Sequence, residues 1–303
     1  MARIILRTLG VTALSSVMIA FFSAVSLAGD TKPAVRSNLL VSAEWLAQHL
    51  HDPNLAIIHI AEKRGDYDKG HIPGARFLAT GDFVAEHKMP MAELPSVEDL
   101  GKVFSKLGIG DDTRVVLYTT DWFPLAARGY YTLDYLGHGD KTALLDGGIE
   151  QWTLEKRELS KTAETPKPAD FHPSVHPEVK AMLDEVSRAS QAGSANVQIV
   201  DSRPGKRYKD GHVPGAVNVY WKDTLVSDKS PVLLSPEKLQ QIFEERKIAP
   251  GKKVITYCEV GLQASHGYFL AKYLGYDAAM YDGSWHEWEM MNHMPVVKGE
   301  QQR

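Results

Sequence analysis

Apolar and polar positions along the chain follow two alternating rhythms. Val197 to Val200 is a short apolar run that predicts a buried strand. Ser235 and Pro236 then open a segment with Leu239, Ile242 and Phe243 at helical spacing. Ser235 suits the N-cap and Pro236 the first helical position. Lys252 to Tyr257 is a second β-rich run. Ala264 to Leu274 returns to helical spacing, with Phe269, Leu270, Tyr273 and Leu274 as its apolar stripe and Gly275 as its stop. Strand–helix–strand–helix order predicts an α/β fold, a mainly parallel sheet flanked by helices on both faces. Ligands of such sheets bind at the carboxyl ends of the strands. The Tyr257–Cys258 junction is one such end.

The pattern is written twice. Tyr67-Asp68-Lys69-Gly70-His71-Ile72-Pro73-Gly74-Ala75 returns as Tyr208-Lys209-Asp210-Gly211-His212-Val213-Pro214-Gly215-Ala216. Ser96-Val97-Glu98-Asp99-Leu100 returns as Ser235-Pro236-Glu237-Lys238-Leu239, and Val115-Val116-Leu117-Tyr118 as Val254-Ile255-Thr256-Tyr257. Leu145-Asp146-Gly147-Gly148-Ile149-Glu150-Gln151-Trp152 returns as Tyr281-Asp282-Gly283-Ser284-Trp285-His286-Glu287-Trp288. Matched blocks in one order, about 140 residues apart, mean a duplicated whole domain rather than a solenoid. The expected domains are 38–160 and 176–298, with 161–175 as a Pro- and Thr-rich linker.

Composition narrows the function. The 303 residues are 44% hydrophobic, enough for two real cores. A net charge of −4 gives no footprint for nucleic acid. A single cysteine excludes an intrachain disulfide and any multi-cysteine zinc or iron–sulfur site. The 12 histidines show no metal-ligand spacing, so no metal and no cofactor is expected.

Residues 1–28 read as a signal peptide: Arg3 and Arg7, an apolar middle, then Ser26-Leu27-Ala28 before Gly29. The rival is an uncleaved anchor, because the uncharged run is nearly long enough to span a bilayer. Cleavage removes both arginines, leaving 32 basic against 38 acidic residues and a net charge of −6. The expected mature protein is periplasmic and makes no membrane contact. An unpaired cysteine is unusual in an oxidising compartment, so Cys258 needs a reason to be there.

Cys258 stands between a strand end and a helix start. Free loop N–H groups and the helix dipole there favour a thiolate, and Gly261 lets the loop curl. The plain alternative is an inert core cysteine. Phosphate-ester chemistry needs Cys-x5-Arg, and the sixth residue after Cys258 is Ala264. Sulfane-sulfur transfer through a persulfide needs one thiol and a ring of amide donors, which the chain has.

These motifs make the chain resemble the tandem-domain rhodanese family of thiosulfate and 3-mercaptopyruvate sulfurtransferases. The resemblance runs from about Leu40 to Val297. It rests on Val41-Ser42-Ala43-Glu44-Trp45-Leu46, on the two Gly-His-x-Pro-Gly-Ala blocks, and on Tyr281-Asp282-Gly283-Ser284-Trp285-x-Glu287-Trp288. It implies two rhodanese-like domains, the first inactive and the second catalytic, with a site near their interface. Thr119 stands where Cys258 stands in the second copy, and a threonine cannot form a persulfide. Two departures lower the mercaptopyruvate reading: Val260 replaces that group's usual serine, and Arg207-Tyr208 runs straight into Gly211-His212.

Cys258 is the expected nucleophile. The N–H groups of Glu259, Val260, Gly261, Leu262, Gln263 and Ala264 are expected to hold the outer sulfur. Arg203 is expected to hold the donor's anionic end, its alternative being an ion pair with Asp201. Arg207 is the weaker cation. His71 and His212 occur in both copies and therefore read as turn-holding rather than catalytic, and Asp146 and Asp282 likewise. Trp285 could wall the pocket, Trp122 and Phe123 could face the domain interface or pack in the core, and His266 could reach the thiolate, although a histidine beside a helix N-terminus is usually a surface group. The expected partners are a small sulfur donor, thiosulfate by default, and a thiophilic acceptor such as cyanide or a thiol. The alternatives are a 3-mercaptopyruvate sulfurtransferase, or a periplasmic sulfur or redox carrier with a protein acceptor, which the acidic Glu259 favours.

Overall fold

The computed structural model describes residues 32–86, 92–120, 123–192, 196–227 and 230–300. The expected signal peptide lies outside these residues. The first copy runs β1 (Leu40–Val41), α1 (Ala43–His49), β2 (Leu55–Ala61), α2 (Arg64–Lys69) and β3 (Ala75–Ala79). A small hairpin follows, β4 (Ala85–Glu86) with β5 (Ala92–Glu93). Then come α3 (Val97–Lys106), β6 (Arg114–Thr119), α4 (Pro124–Tyr135), β7 (Thr142–Leu145) and α5 (Gly148–Leu154).

The second copy repeats this order as far as its last strand, and a π-helical segment, His286–Met291, stands where α5 does. This copy has β8 (Lys180–Ala181), α6 (Leu183–Ala192), β9 (Val197–Asp201), α7 (Gly205–Asp210) and β10 (Val217–Asn218). The hairpin β11 (Leu225–Ser227) and β12 (Ser230–Leu233) follows. Next are α8 (Pro236–Glu245), β13 (Lys253–Tyr257), α9 (Leu262–Tyr273) and β14 (Ala278–Tyr281).

Both main sheets are parallel and share one strand order. The first is β1-β7-β6-β2-β3 and the second β8-β14-β13-β9-β10, each strand matching its sequence counterpart. The predicted doubly covered α/β sheet is the fold observed. The central strands are buried on both faces, so they read as continuous apolar runs. In β2, Ile57 packs with α1 and α5, while Ile58 and Ile60 face α3 and α4.

Local signals act as the chemistry predicts. The Ser42 and Ser96 hydroxyls accept the N–H groups of Trp45 and Asp99, capping α1 and α3. Ser235 takes the N-cap position of α8 with Pro236 behind it, but its side chain makes no capping bond. The linker is not loose. The Ala169 N–H donates to Ser105, Ser174 to Leu136 and His176 to Tyr135, so it is strapped along the first copy.

One apolar core is continuous between the copies. α4 lies against α9, with Tyr130 edge-on to Phe269 at 5.1 Å and Tyr131 edge-on to Tyr268 at 5.2 Å. The Tyr268 hydroxyl donates to Asp134, and Lys272 pairs with the same carboxylate at 3.1 Å. The helix after each strand-end loop therefore faces its counterpart, bringing both loops to the junction of the two copies.

Candidate active site

Cys258 follows the last residue of β13, and Gly261 is the N-cap of α9. Gly261 has φ +94°, and a Cβ there would lie 2.6 Å from an Asp282 carboxylate oxygen and 2.8 Å from the Asp282 carbonyl. Conformation and space both demand glycine. The loop consequently curls over its own thiol. The Gly261 N–H donates to Sγ at 3.2 Å, and the Ala264, Val260 and Gln263 amides also favour its anionic form.

The turn after β14 braces this loop. The Cys258 N–H donates to Ser284 Oγ at 3.1 Å, and the Ser284 hydroxyl donates to the Tyr281 carbonyl. The N–H groups of Trp285 and His286 donate to the carbonyls of Cys258 and Glu259 at 3.0 and 3.1 Å. The Thr256 hydroxyl closes the other side on the Ala264 carbonyl.

The electrostatics correct one expectation. Loop context alone predicts a thiol acidified toward neutral pH. Cys258 is only 1% exposed. That burial is the largest influence and pushes the thiol above its ordinary 9.0, with the four amides pulling the other way. Desolvation outweighs the cradle.

Arg203 is also corrected. Its Nε and Nη2 bond the Asp201 carboxylate at 2.7 to 3.1 Å, and Nη2 also donates to the Gly211 carbonyl. The Trp285 ring covers the guanidinium at 4.4 Å. Burial opposes the charge, yet Asp201 outweighs it and holds Arg203 above its ordinary value. Its Nε and Nη2 donors serve an internal ion pair, as the alternative reading had it. Nη1 lies 3.5 Å from Glu259, whose side chain is 45% exposed. Arg203 thus draws the Glu259 carboxylate aside, toward Trp285 and solvent. Leu262 opens α9 and packs on the core.

The paired histidines have matching structural roles. His71 stacks on Tyr67 at 3.7 Å and His212 on Tyr208 at 3.8 Å, each with Nδ1 2.9 Å from that tyrosine's carbonyl. His266 is buried, not at the surface. Its Nε2 lies 2.7 Å from Thr224 Oγ1, and burial pushes it down to about 3. Phe123 packs edge-on to His266 across the junction at 5.4 Å. Trp122 lies outside the described residues. A pocket of about 260 Å³ opens in the first copy, lined by Tyr67, Phe77, Arg76 and Glu164, away from the thiol loop.

Sequence reasoning missed Arg128. It sits on α4 of the first copy, and its Nη1 and Nη2 bond the Asp282 carboxylate of the second at 2.6 and 3.2 Å. Nη2 also donates to the Ala92 carbonyl. The signal was present: Arg128 is the one charged side chain in Pro124-Leu125-Ala126-Ala127-Arg128-Gly129-Tyr130-Tyr131. Asp282 was read as merely fold-holding, like Asp146. The structure gives each a tie across the junction, since Asp146 Oδ1 accepts the Leu233 N–H at 2.9 Å.

A duplicated parallel α/β domain with one amide-cradled thiol at the junction defines a class of double-domain cysteine proteins. The chain belongs to the rhodanese family: the Rhodanese-like domain matches twice, over residues 42–155 and 182–291. It is 31% identical over 286 residues to the sulfur carrier protein TtuD of Thermus thermophilus, covering 87% of this chain and 98% of that one. It is 29% identical to the thiosulfate sulfurtransferase of Corynebacterium glutamicum, covering 86% of this chain and 91% of the relative. Among solved structures it is similar to the 3-mercaptopyruvate sulfotransferase SseA of Escherichia coli. The TM-score is 0.71 at 29% identity, covering 82% of this chain and 98% of that one.

Proposed function

We propose that the chain is a sulfurtransferase that moves sulfane sulfur from thiosulfate to a thiophilic acceptor through Cys258. The observation that carries this reading is the cradle: one thiol in the chain, with the N–H groups of Val260, Gly261, Gln263 and Ala264 favouring an anion on its sulfur. The Cys258 thiolate attacks the outer sulfur of thiosulfate. A Cys–S bond forms, the donor's S–S bond breaks, and sulfite leaves with the electron pair. An acceptor such as cyanide or a thiolate then attacks the outer sulfur of the persulfide and frees Cys258 as thiolate. The amides meet the negative charge in each state, and Thr119 explains why the first copy performs no such cycle.

The exposed Glu259 favours a second reading, a sulfur carrier that yields its sulfur to a protein partner. A carboxylate near the loop repels the thiosulfate dianion, and the Thermus relative is named a sulfur carrier. Steady-state turnover with thiosulfate and cyanide separates the two. Sustained turnover supports the enzyme, and a persulfide that loads but barely turns over supports the carrier. Export to the periplasm is part of the proposal, resting on residues 1–28. The N-terminal sequence of the exported protein should begin at Gly29.

A further inference from the structure

The first copy lacks the thiol, yet it supplies two groups to the thiol loop. Arg128 comes from α4 and is 0% exposed, and its partner Asp282 is 1% exposed. The Asp282 carboxylate presses on the back of the loop, against Gly261. Nη2 of Arg128 also holds the Ala92 carbonyl of β5. The Ala92 N–H in turn donates to the Val260 carbonyl at 3.0 Å. One guanidinium therefore neutralises the carboxylate behind the cradle and, through Ala92, fixes the peptide that contains a cradle amide. Its Nε is buried with no partner. Its charge also acts on the Cys258 sulfur.

We propose that Arg128 is a trans-domain positioning residue of the sulfur site: it cancels the Asp282 charge and pins the Val260 peptide, so that the loop can hold an anionic sulfur. The inference rests on the sulfurtransferase reading for its purpose, but the geometry stands without it. A buried anion is tolerated only where opposite charge and donors surround it. The elements packed around the loop carry several charged and titratable groups. α4 brings Arg128 and Tyr131, and the turn after β14 brings Asp282 and His286. Glu259 comes from its own loop, already drawn to Arg203, and α9 brings His266, which burial keeps neutral. Arg128 is the cation tied to Asp282, the carboxylate against the loop.

The test is the pH dependence of Cys258 alkylation by iodoacetamide in the full chain. Arg128→Met should raise the midpoint by about one unit or more, the usual effect of losing an adjacent opposite charge. Arg128→Lys should move it far less. Asp282→Asn should move it the opposite way, downward, because it leaves the guanidinium unbalanced beside the sulfur. A merely structural role predicts no such opposite signs. Unshifted midpoints in folded Arg128→Met and Asp282→Asn overturn the proposal. If Arg128→Met does not fold, Asp282→Asn and Arg128→Lys decide alone, and an upward or absent shift in Asp282→Asn overturns it. Loading with thiosulfate is scored separately. Wild type that alkylates normally but never gains sulfur defeats the sulfurtransferase reading and leaves the alkylation result standing.

Discussion

The Arg128 guanidinium of the thiol-free copy bonds the Asp282 carboxylate of the thiol-bearing copy at 2.6 Å, with both side chains out of solvent. A buried pair of this kind adds little net stability when intact, but removing one partner strands a charge in the core. Such losses run to about 3–5 kcal/mol. Arg128→Ala should therefore lower the unfolding free energy measured by urea denaturation by about 3–5 kcal/mol, and Arg128→Ala with Asp282→Ala should recover part of that loss. Additive losses in the double variant would show that the two side chains act independently.

Gly261→Ala introduces a side chain at φ +94° and 2.6 Å from Asp282. Backbone strain alone is about 1–3 kcal/mol. The loop must open to relieve it, moving the Gly261 N–H off Sγ. Sulfur transfer should fall at least about tenfold, since each lost oxyanion-type donor is worth that or more. The assay is turnover on folded protein, and an unchanged rate would mean that the cradle does not hold sulfur.

Asp146 gives stability a pH dependence. Burial raises it from its ordinary 3.8 to about 6, against the N–H bonds of Leu233 and Gly147. The folded chain thus binds this proton more tightly than the unfolded chain. The contribution is full below pH 3.8 and is lost as pH rises through about 6. Asp146→Asn keeps an oxygen for the Leu233 N–H and removes the titration. Thermal melts should find the variant stabilised relative to wild type at pH 7 and its advantage shrinking toward pH 4. A constant difference across that range would assign the pH dependence elsewhere.

Much of this was legible in the chain because duplication doubles every signal. The strands Val197–Asp201 and Lys253–Tyr257 and the helix Leu262–Tyr273 lie where the apolar spacing put them. Cys258 sits at the strand–helix junction because the Cys-to-Gly261 spacing permits only a tight loop. Three features were not legible for one reason: each depends on what the other copy or a distant turn brings. Cys258 is less acidic than its loop suggests because the assembled core takes it out of solvent. The Arg203 bond to the Gly211 carbonyl and the Trp285 ring over its guanidinium come from residues farther along the chain, whereas its pairing with Asp201 was among the readings the sequence offered. Arg128 becomes part of the site only through contacts 36 and 154 residues away.

Glu259→Gln tests how far the loop's acid governs donor choice. Glu259 is 45% exposed and already drawn to Arg203, so its effect on an incoming dianion is screened. The variant should raise kcat/KM for thiosulfate by roughly two- to tenfold, with a smaller gain at high salt. A fall in kcat/KM would mean that the carboxylate assists the donor rather than repelling it.

The central claim is that Cys258 itself carries the transferred sulfur. Intact-mass measurement after incubation with thiosulfate tests it most directly. The wild-type chain should gain one sulfur atom, lose it on addition of cyanide, and yield the adduct on the peptide containing Cys258. Cys258→Ser should gain nothing. An equal gain of sulfur mass in Cys258→Ser, or none in wild type, would contradict the account.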